Sequence, residues 1–230
     1  MAIIQSGSSS STLLTVDPTY TAGRVTMRPV EQLGTYLYGG LTGAYTGAGA
    51  NTPVFSMRFV AGSAGSAQIA IIQRITINWV MTTVFSTAQQ IAFGGYVARS
   101  FTGSDSGGTT ISLSGNNQKN RTSAQTSQIA TGGDMRISLN GVLTVGTRTL
   151  DSAAFGVTNG WAGTTLLTTG TQPLQQVTLY EEFPGDTPLI LQSNEGIVIN
   201  NLVALGSGGV LSVAINVEWT ESATSASTSY

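Results

Sequence analysis

The sequence predicts an all-β protein: an antiparallel β-sandwich, jelly-roll-like, with long polar loops. Three observations carry this. Short apolar stretches alternate with polar residues at a period of two, the mark of strands with one buried face. Turn residues recur between them, and no long stretch shows the period of an amphipathic helix. Near the C-terminus Val213, Ile215, Val217 and Trp219 alternate with Ser212, Ala214, Asn216 and Glu218.

Met1 to Leu14 is Ser-rich and holds too little apolar surface to order itself, so residues 1–14 are expected to be a flexible arm. Residues 15–221 are expected to form one sandwich domain and 222–230 a polar tail. Asp17-Pro18 reads as a turn and Arg24 to Arg28 as a short strand. Gly34 to Gly49 reads as a Tyr/Gly-rich loop, which leaves Tyr36, Tyr38 and Tyr45 half-exposed, at the core rim or in a contact surface. Val54 to Val60 is a strand with Phe55, Met57 and Phe59 on one face. Ile69 to Phe85 is a longer one, with Ile75, Ile77, Trp79 and Met81 together; its β-branched residues favour strand over helix.

Thr87 to Phe93 reads as a helical turn or a strand start, Gly94-Gly95 as a break, and Tyr96 to Phe101 as a strand. Ser104 to Gly108 is a loop, Ile111 to Ser114 a short strand, and Gly115 to Gln128 a long polar surface loop. Asn140-Gly141 between two apolar stretches predicts a type I′ hairpin. The Gly/Thr-rich text from Gly141 to Thr171 fits loop or strand. Val177 to Phe183 and Leu189 to Gln192 are strands about a Pro184-Gly185-Asp186 turn. Gly196 to Ile199 and the final strand flank a turn at Gly206 to Gly209. Trp79 and Trp219 fall in register with apolar faces and belong to the core. Trp161, in Gly/Thr text, belongs to the surface.

Only 9% of the 230 residues are charged, against about 25% in an ordinary soluble domain. Ser, Thr, Gly, Asn and Gln fill the difference. Such a surface resists association less than a charged one and suits a protein that works in an assembly or a polar extracellular β-domain. There is no Cys and no His, so disulfides, His/Cys zinc sites and the usual Ser-His-Asp and Cys-His nucleophiles are excluded. No signal peptide pattern or membrane-spanning apolar run is seen, so cytosolic synthesis is expected and no membrane partner.

All nine Lys and Arg lie between Arg24 and Arg148, while seven of the eleven acids lie from Asp151 onward. The two parts therefore attract, either within one fold or between neighbouring subunits. With one Lys and no basic cluster, nucleic acid is not an expected partner.

No phosphate loop, nucleophile elbow or calcium loop appears. Asp105 is a lone carboxylate. Glu181 and Glu182 are adjacent, so on a strand they point to opposite faces; Glu195, Glu218 and Glu221 remain as carboxylates that would have to converge in space for glycoside hydrolysis. The expectation is a non-enzymatic protein with no catalytic residue, cofactor or metal. Asn120-Arg121-Thr122 matches a glycosylation sequon, which cytosolic synthesis makes idle.

Three stretches together resemble a known family: INWVMTTVFSTAQQIAFGGYVARSFT (Ile77 to Thr102), LSGNNQKNRTS (Leu113 to Ser123) and LILQSNEGIVINNLVALGSGGVLSVAINVEW (Leu189 to Trp219). They resemble virion proteins of tailed bacteriophages, of the β-sandwich type found on capsid surfaces as decoration or cement proteins. The resemblance spans roughly the last two-thirds of the chain and rests most on the Asn-Glu-Gly block at 194–196 and the Val-Glu-Trp strand. It implies synthesis in the bacterial host cytoplasm, residence on the capsid surface of the virion, homotrimers, and the phage major capsid protein as partner.

On that reading Arg58, Arg74 and Arg99 are candidate interface residues for pairing across subunits with Asp186, Glu195 or Glu218, or else plain solubilising charges. Trp161 is a candidate anchor. Asn194 and Glu195 are expected to fix a turn, and Asn116, Asn117, Lys119 and Arg121 to face solvent or a partner. Competing readings are a receptor-binding head-fibre or tail-fibre module, gripping a glycan through Tyr45 or Trp161, and a jelly-roll major capsid protein of a tailless phage.

Overall fold

The computed structural model describes residues 32–61, 68–115, 119–120, 126–163, 176–183 and 187–223. The expected N-terminal arm, the Asp17-Pro18 turn, the Arg24 to Arg28 strand and the Pro184-Gly185-Asp186 turn lie outside the described residues. The elements are β1 (Gln32–Leu41), β2 (Thr52–Phe59), β3 (Gln68–Thr83), β4 (Gln89–Gly103), β5 (Thr109–Thr110), the single-turn helix α1 (Gln128–Thr131), β6 (Asp134–Ile137), β7 (Thr147–Leu150), β8 (Gly156–Ala162), β9 (Val177–Glu181), β10 (Leu189–Leu191), β11 (Glu195–Asn201) and β12 (Val210–Ala223).

They form two antiparallel sheets. One runs β1-β12-β3-β10, with β9 also on β3; the other runs β5-β6-β2-β11-β4-β7, with β8 also on β4. The pairing is nested: β1 with β12, β2 with β11, β3 with β10, β4 with β7 and β8. A long antiparallel ribbon with its ends paired, wrapped so that successive ribbon segments alternate between sheets, is a jelly roll. The expected sandwich is therefore present, with the short β5–β6 pair added to one edge.

The predicted alternation sets the inward faces. Leu211, Val213, Ile215, Val217 and Trp219 of β12 are fully buried, as are Phe55, Met57 and Phe59 of β2. Ile75 and Ile77 join the same core, with Trp79 packed partly buried against it. Tyr36 stacks on Trp219 with centroids 5.3 Å apart. Part of the outward face of the second sheet is buried too. Ala98, Phe101 and Val198 form a small second cluster there with Leu150; β4 takes a left-handed residue at Ser100, whose φ is +49°.

Several local expectations fail for tertiary reasons. Gly34 to Gly49 is not all loop: β1 occupies its first half, and Tyr36, Tyr38 and Tyr45 are buried. The β12 edge supplies the hydrogen bonds and the core the apolar contacts that favour strand here. Burial lifts the Tyr38 and Tyr45 hydroxyls up to about 12. Gly94-Gly95 does not break β4. At Gly95 a side chain would run into the ring of Phe155 at about contact-breaking range, so glycine there makes room for an aromatic. The strand near residue 111 is Thr109–Thr110, and Ile111 to Ser114 lies outside it.

Asn140-Gly141 does not make a type I′ hairpin. Gly141 has positive φ, but Asn140 does not. Ser138 N bonds Val54 O and so continues the pairing with β2, but past the turn Leu143 N bonds Pro53 O and Thr144 pairs with Ser106, so the two sides of the turn do not pair as a hairpin. The ambiguous 141–171 text contains β7 and β8 up to Ala162. The end of the predicted Gly115 to Gln128 loop is not surface, since Ser127 is buried and caps α1. Strand β12 continues two residues into the expected tail.

The Gly206 to Gly209 turn is present, but it links strands of opposite sheets rather than a hairpin. Gly208 takes φ +83° there, and a side chain on Gly209 would overlap the Phe85 ring. Gly196 is equally constrained: a Cβ would overlap the Met57 carbonyl oxygen and meet Phe101 Cδ1 at 2.7 Å.

At the far end of β12 a carboxyl is buried. Glu221 Oε1 accepts from Ser127 Oγ at 2.6 Å and Trp219 Nε1 at 3.1 Å; Oε2 accepts from Gln128 N at 2.8 Å. Burial holds its pKa above the ordinary carboxyl range, and these hydrogen bonds offset the rise only in part. Tyr36, beside it, is raised as well, first by burial and then by this carboxylate.

Two outcomes follow. The native state holds the Glu221 proton more tightly than the unfolded chain, so this group stabilises most below its unfolded pKa, and that contribution is lost as pH rises through the native value. Urea midpoints taken between about pH 4 and about pH 8 should fall with pH relative to those of Glu221→Gln, which cannot titrate. Gly196→Ala should cost about 1–3 kcal/mol by overpacking, read from the same denaturation curves at one pH.

Candidate functional site

The Asn194-Glu195-Gly196 block opens β11. Asn194 takes φ +64°, a left-handed conformation that Asn tolerates, and Glu195 N bonds back to Gln192 O at 3.0 Å. The expected turn is there. Gly196 lies opposite Arg58 on β2 and Ala98 on β4, so the block brings two of the candidate arginines together.

Arg58 Nε donates to Phe101 O at 2.6 Å, Nη1 to Ser104 Oγ at 3.2 Å, and Nη2 to Asn194 Oδ1 at 3.3 Å. Arg99 grips Asp151 side-on, with both bonds at 3.1 Å, and donates from Nη1 to Glu195 Oε1 at 2.6 Å. Glu195 Oε2 accepts from Gln192 N. The Asp151 and Glu195 carboxylates raise the Arg99 guanidinium above its already high value. Beside this corner lies a pair absent from the sequence reading. Arg148 and Asp105 are almost fully buried and joined at 2.9 and 3.0 Å, with Gly146 N as a further donor. The Arg148 guanidinium also lies 5.6 Å from the Phe101 ring centroid. Both Asp105 oxygens are thus engaged by protein donors.

On the other sheet Arg74 pairs with Glu218 at 3.6 Å. Arg74 is in register with Glu218 on one side and Glu181 on the other. Gln73, Arg74, Glu181, Glu182 and Glu218 line an open groove of about 290 Å³. Glu181 and Glu182 were expected on opposite faces; β9 ends at Glu181, so the strand alternation stops and both line this groove. Glu195, Glu218 and Glu221 do not converge: they belong to the Arg99 corner, the Arg74 row and the buried Ser127 contact. Among the described residues no group of three His, Cys, Asp or Glu is placed to hold a metal ion.

The candidate arginines therefore have acceptors within their own chain. The pairs Arg74–Glu218, Arg99–Asp151 and Arg99–Glu195 join the basic first part of the chain to the acidic last part. Pairing across subunits would have to break or share these bonds, because a guanidinium already bonded loses them before it can serve a partner. Asp186, Asn116, Asn117 and Arg121 lie outside the described residues. Lys119 pairs with Tyr36 at the edge of β1.

Several apolar side chains are exposed as well. Trp161, on β8, is 73% exposed, as expected of a surface anchor. Tyr45, its companion in the glycan reading, is buried. A second feature was missed. Leu41, Leu139, Val142 and Val145 are all exposed, Leu41 to 66%. Gly43 N bonds Ser138 O, and Ser138 Oγ bonds Gly141 O, so the β1 end and the 138–145 segment meet at one end of the sandwich. Their signal was the apolar residues on either side of Asn140-Gly141, which a hairpin reading assigned to strand faces.

The two kinds of ion pair should separate in denaturation experiments. Asp105→Ala leaves Arg148 buried and unpaired and should cost about 3–5 kcal/mol. Arg74→Ala, at an exposed pair, should cost less than about 1 kcal/mol. Comparison of the sequence with protein-family models found none that matches, and comparison with curated proteins found no significant match.

Proposed function

We propose that the protein is a non-enzymatic structural protein of a tailed-bacteriophage virion, bound to the outer capsid surface as a decoration or cement protein that stabilises the shell. The observation that carries this reading is the apolar end formed by Leu41, Leu139, Val142 and Val145. An aqueous protein gains nothing from presenting such residues together on short, tied segments unless another surface covers them. Docking at this end would rest on apolar contact and backbone hydrogen bonds. The resemblance of the 77–102, 113–123 and 189–219 stretches to capsid-surface proteins supplies the partner, the major capsid protein. The braced body suits a protein that must persist outside the cell without Cys chemistry.

The test is cosedimentation of the purified chain with phage heads assembled without it, with immunogold labelling of complete particles. Saturable binding and gold spread over the heads are expected. The double substitution Leu41→Asp and Leu139→Asp should weaken binding about a hundredfold, the loss of two buried leucines, with an unchanged circular dichroism spectrum. No binding to heads, or gold confined to tail tips, would overturn the reading.

A further inference from the structure

Strand β8 presents an unusual outward stripe. Val157, Asn159 and Trp161 alternate with the buried Thr158 and Ala162, so all three point away from the core. Val157 is 56% exposed and Trp161 73%. Directly across from Trp161 on β4 is Gln90, whose Nε2 donates to Asn159 Oδ1 at 2.9 Å. That bond aligns two primary amides beside an exposed indole. It also leaves the Gln90 carbonyl oxygen as an acceptor and the Asn159 NH₂ as a donor.

We propose that this stripe is a binding site for a neutral saccharide. The indole face carries negative charge density and attracts polarised C–H groups. The apolar face of a pyranose offers a flat array of such C–H bonds, polarised by the ring and hydroxyl oxygens. Its rim carries neighbouring hydroxyls, each both donor and acceptor, which match the uncommitted Asn159 donor and Gln90 acceptor. The amide pair thus reads hydroxyl geometry, and Trp161 supplies most of the affinity.

Size and charge decide against other occupants. One indole and one valine fall far short of the roughly 800 Å² per partner of a stable protein interface, but they match one or two sugar rings. A nucleic-acid base would also stack on Trp161, but its phosphates need cations. The sequence has no charged residue from Ser152 to Tyr180 or from Ser86 to Ala98; an anionic polymer or acidic glycan would find no partner on this stripe. The strand is paired with β4 along its whole length, from Gln89↔Ala162 to Gly95↔Gly156, so little order has to be imposed on binding. The site is independent of the apolar end, and a capsid protein carrying it would hold the virion near a glycan-bearing surface.

The full chain should be titrated with maltohexaose, cellohexaose, chitohexaose and mannohexaose, with binding read by saturation-transfer NMR on the sugar protons. At least one is expected to bind, with transfer strongest to the C–H face of the ring. Trp161→Ala should weaken that binding about tenfold or more, the loss of one stacking contact. Asn159→Ala should weaken it less, and Trp161→Phe should retain part of it. Circular dichroism should match the parent for all three. Failure of every saccharide to bind, or binding that Trp161→Ala and Asn159→Ala leave unchanged, would overturn the proposal. So would loss of head binding by Trp161→Ala without any saccharide binding, which would make the tryptophan a protein contact. Because the titration uses no phage heads, its result stands apart from that of the decoration test.

Discussion

The structure depends on β12 lying between β1 and β3. It pairs with β3 from Val210↔Thr83 to Ala223↔Gln68 and with β1 from Leu41↔Ala214 to Gln32↔Ser222. Neither neighbour can complete its hydrogen bonding until the last strand of the chain is in place. The second sheet repeats the constraint, with β11 between β2 and β4. Both central strands come from the C-terminal forty-odd residues, and both close very long loops. The entropy of closing them is offset only when the whole ribbon is paired. A sandwich built this way is cooperative, and truncation inside β11 or β12 removes the middle of a sheet, not its edge.

The sparse charges serve the same architecture. Asp105, just after β4, and Arg148 of β7 are buried as a bidentate pair. Arg58 ties β2 to Phe101 and Ser104 at the end of β4, and Arg99 joins β4 to Asp151 and to the start of β11. Arg74 bridges β3 to β12. Among the described residues these pairs thus join basic and acidic parts of the chain: segments remote in sequence become neighbours in space. The exposed pairs add little energy each; their geometric effect is to set which strands lie side by side at the sheet ends.

That internal use of charge leaves two uncharged surfaces of different character. The end formed by Leu41, Leu139, Val142 and Val145 is aliphatic and made from turn segments, which suits coverage by a protein surface. The β8 stripe is a single aromatic with amides, set on a rigid strand, which suits a small hydroxyl-rich ligand. A shell-bound protein with the first surface covered would still present the second to the medium. Stability of the particle and contact with its surroundings would then reside in one small domain.

Fold class was legible in the sequence because alternation is a local property: Phe55, Met57 and Phe59, or Val213 through Trp219, declare one buried face wherever the strand finds its partner. The core tryptophan, the exposed Trp161 and the turn at Asn194-Glu195 followed from the same local chemistry. Strand partners did not. Asn140-Gly141 has hairpin chemistry, but β6 is claimed by β2 and β5, so the residues after the turn bond elsewhere. Tyr36 and Tyr38 look like loop aromatics until β12 gives them an edge to pair with and Trp219 a ring to stack on. Asp105 and Arg148 are forty-three positions apart, and neither carries a mark of the other. The chain by itself determined which residues turn inward and where the backbone turns. Only the tertiary structure decided which charges are neutralised within the protein and which apolar residues are left for a partner, because both depend on distances between segments that sequence spacing does not encode.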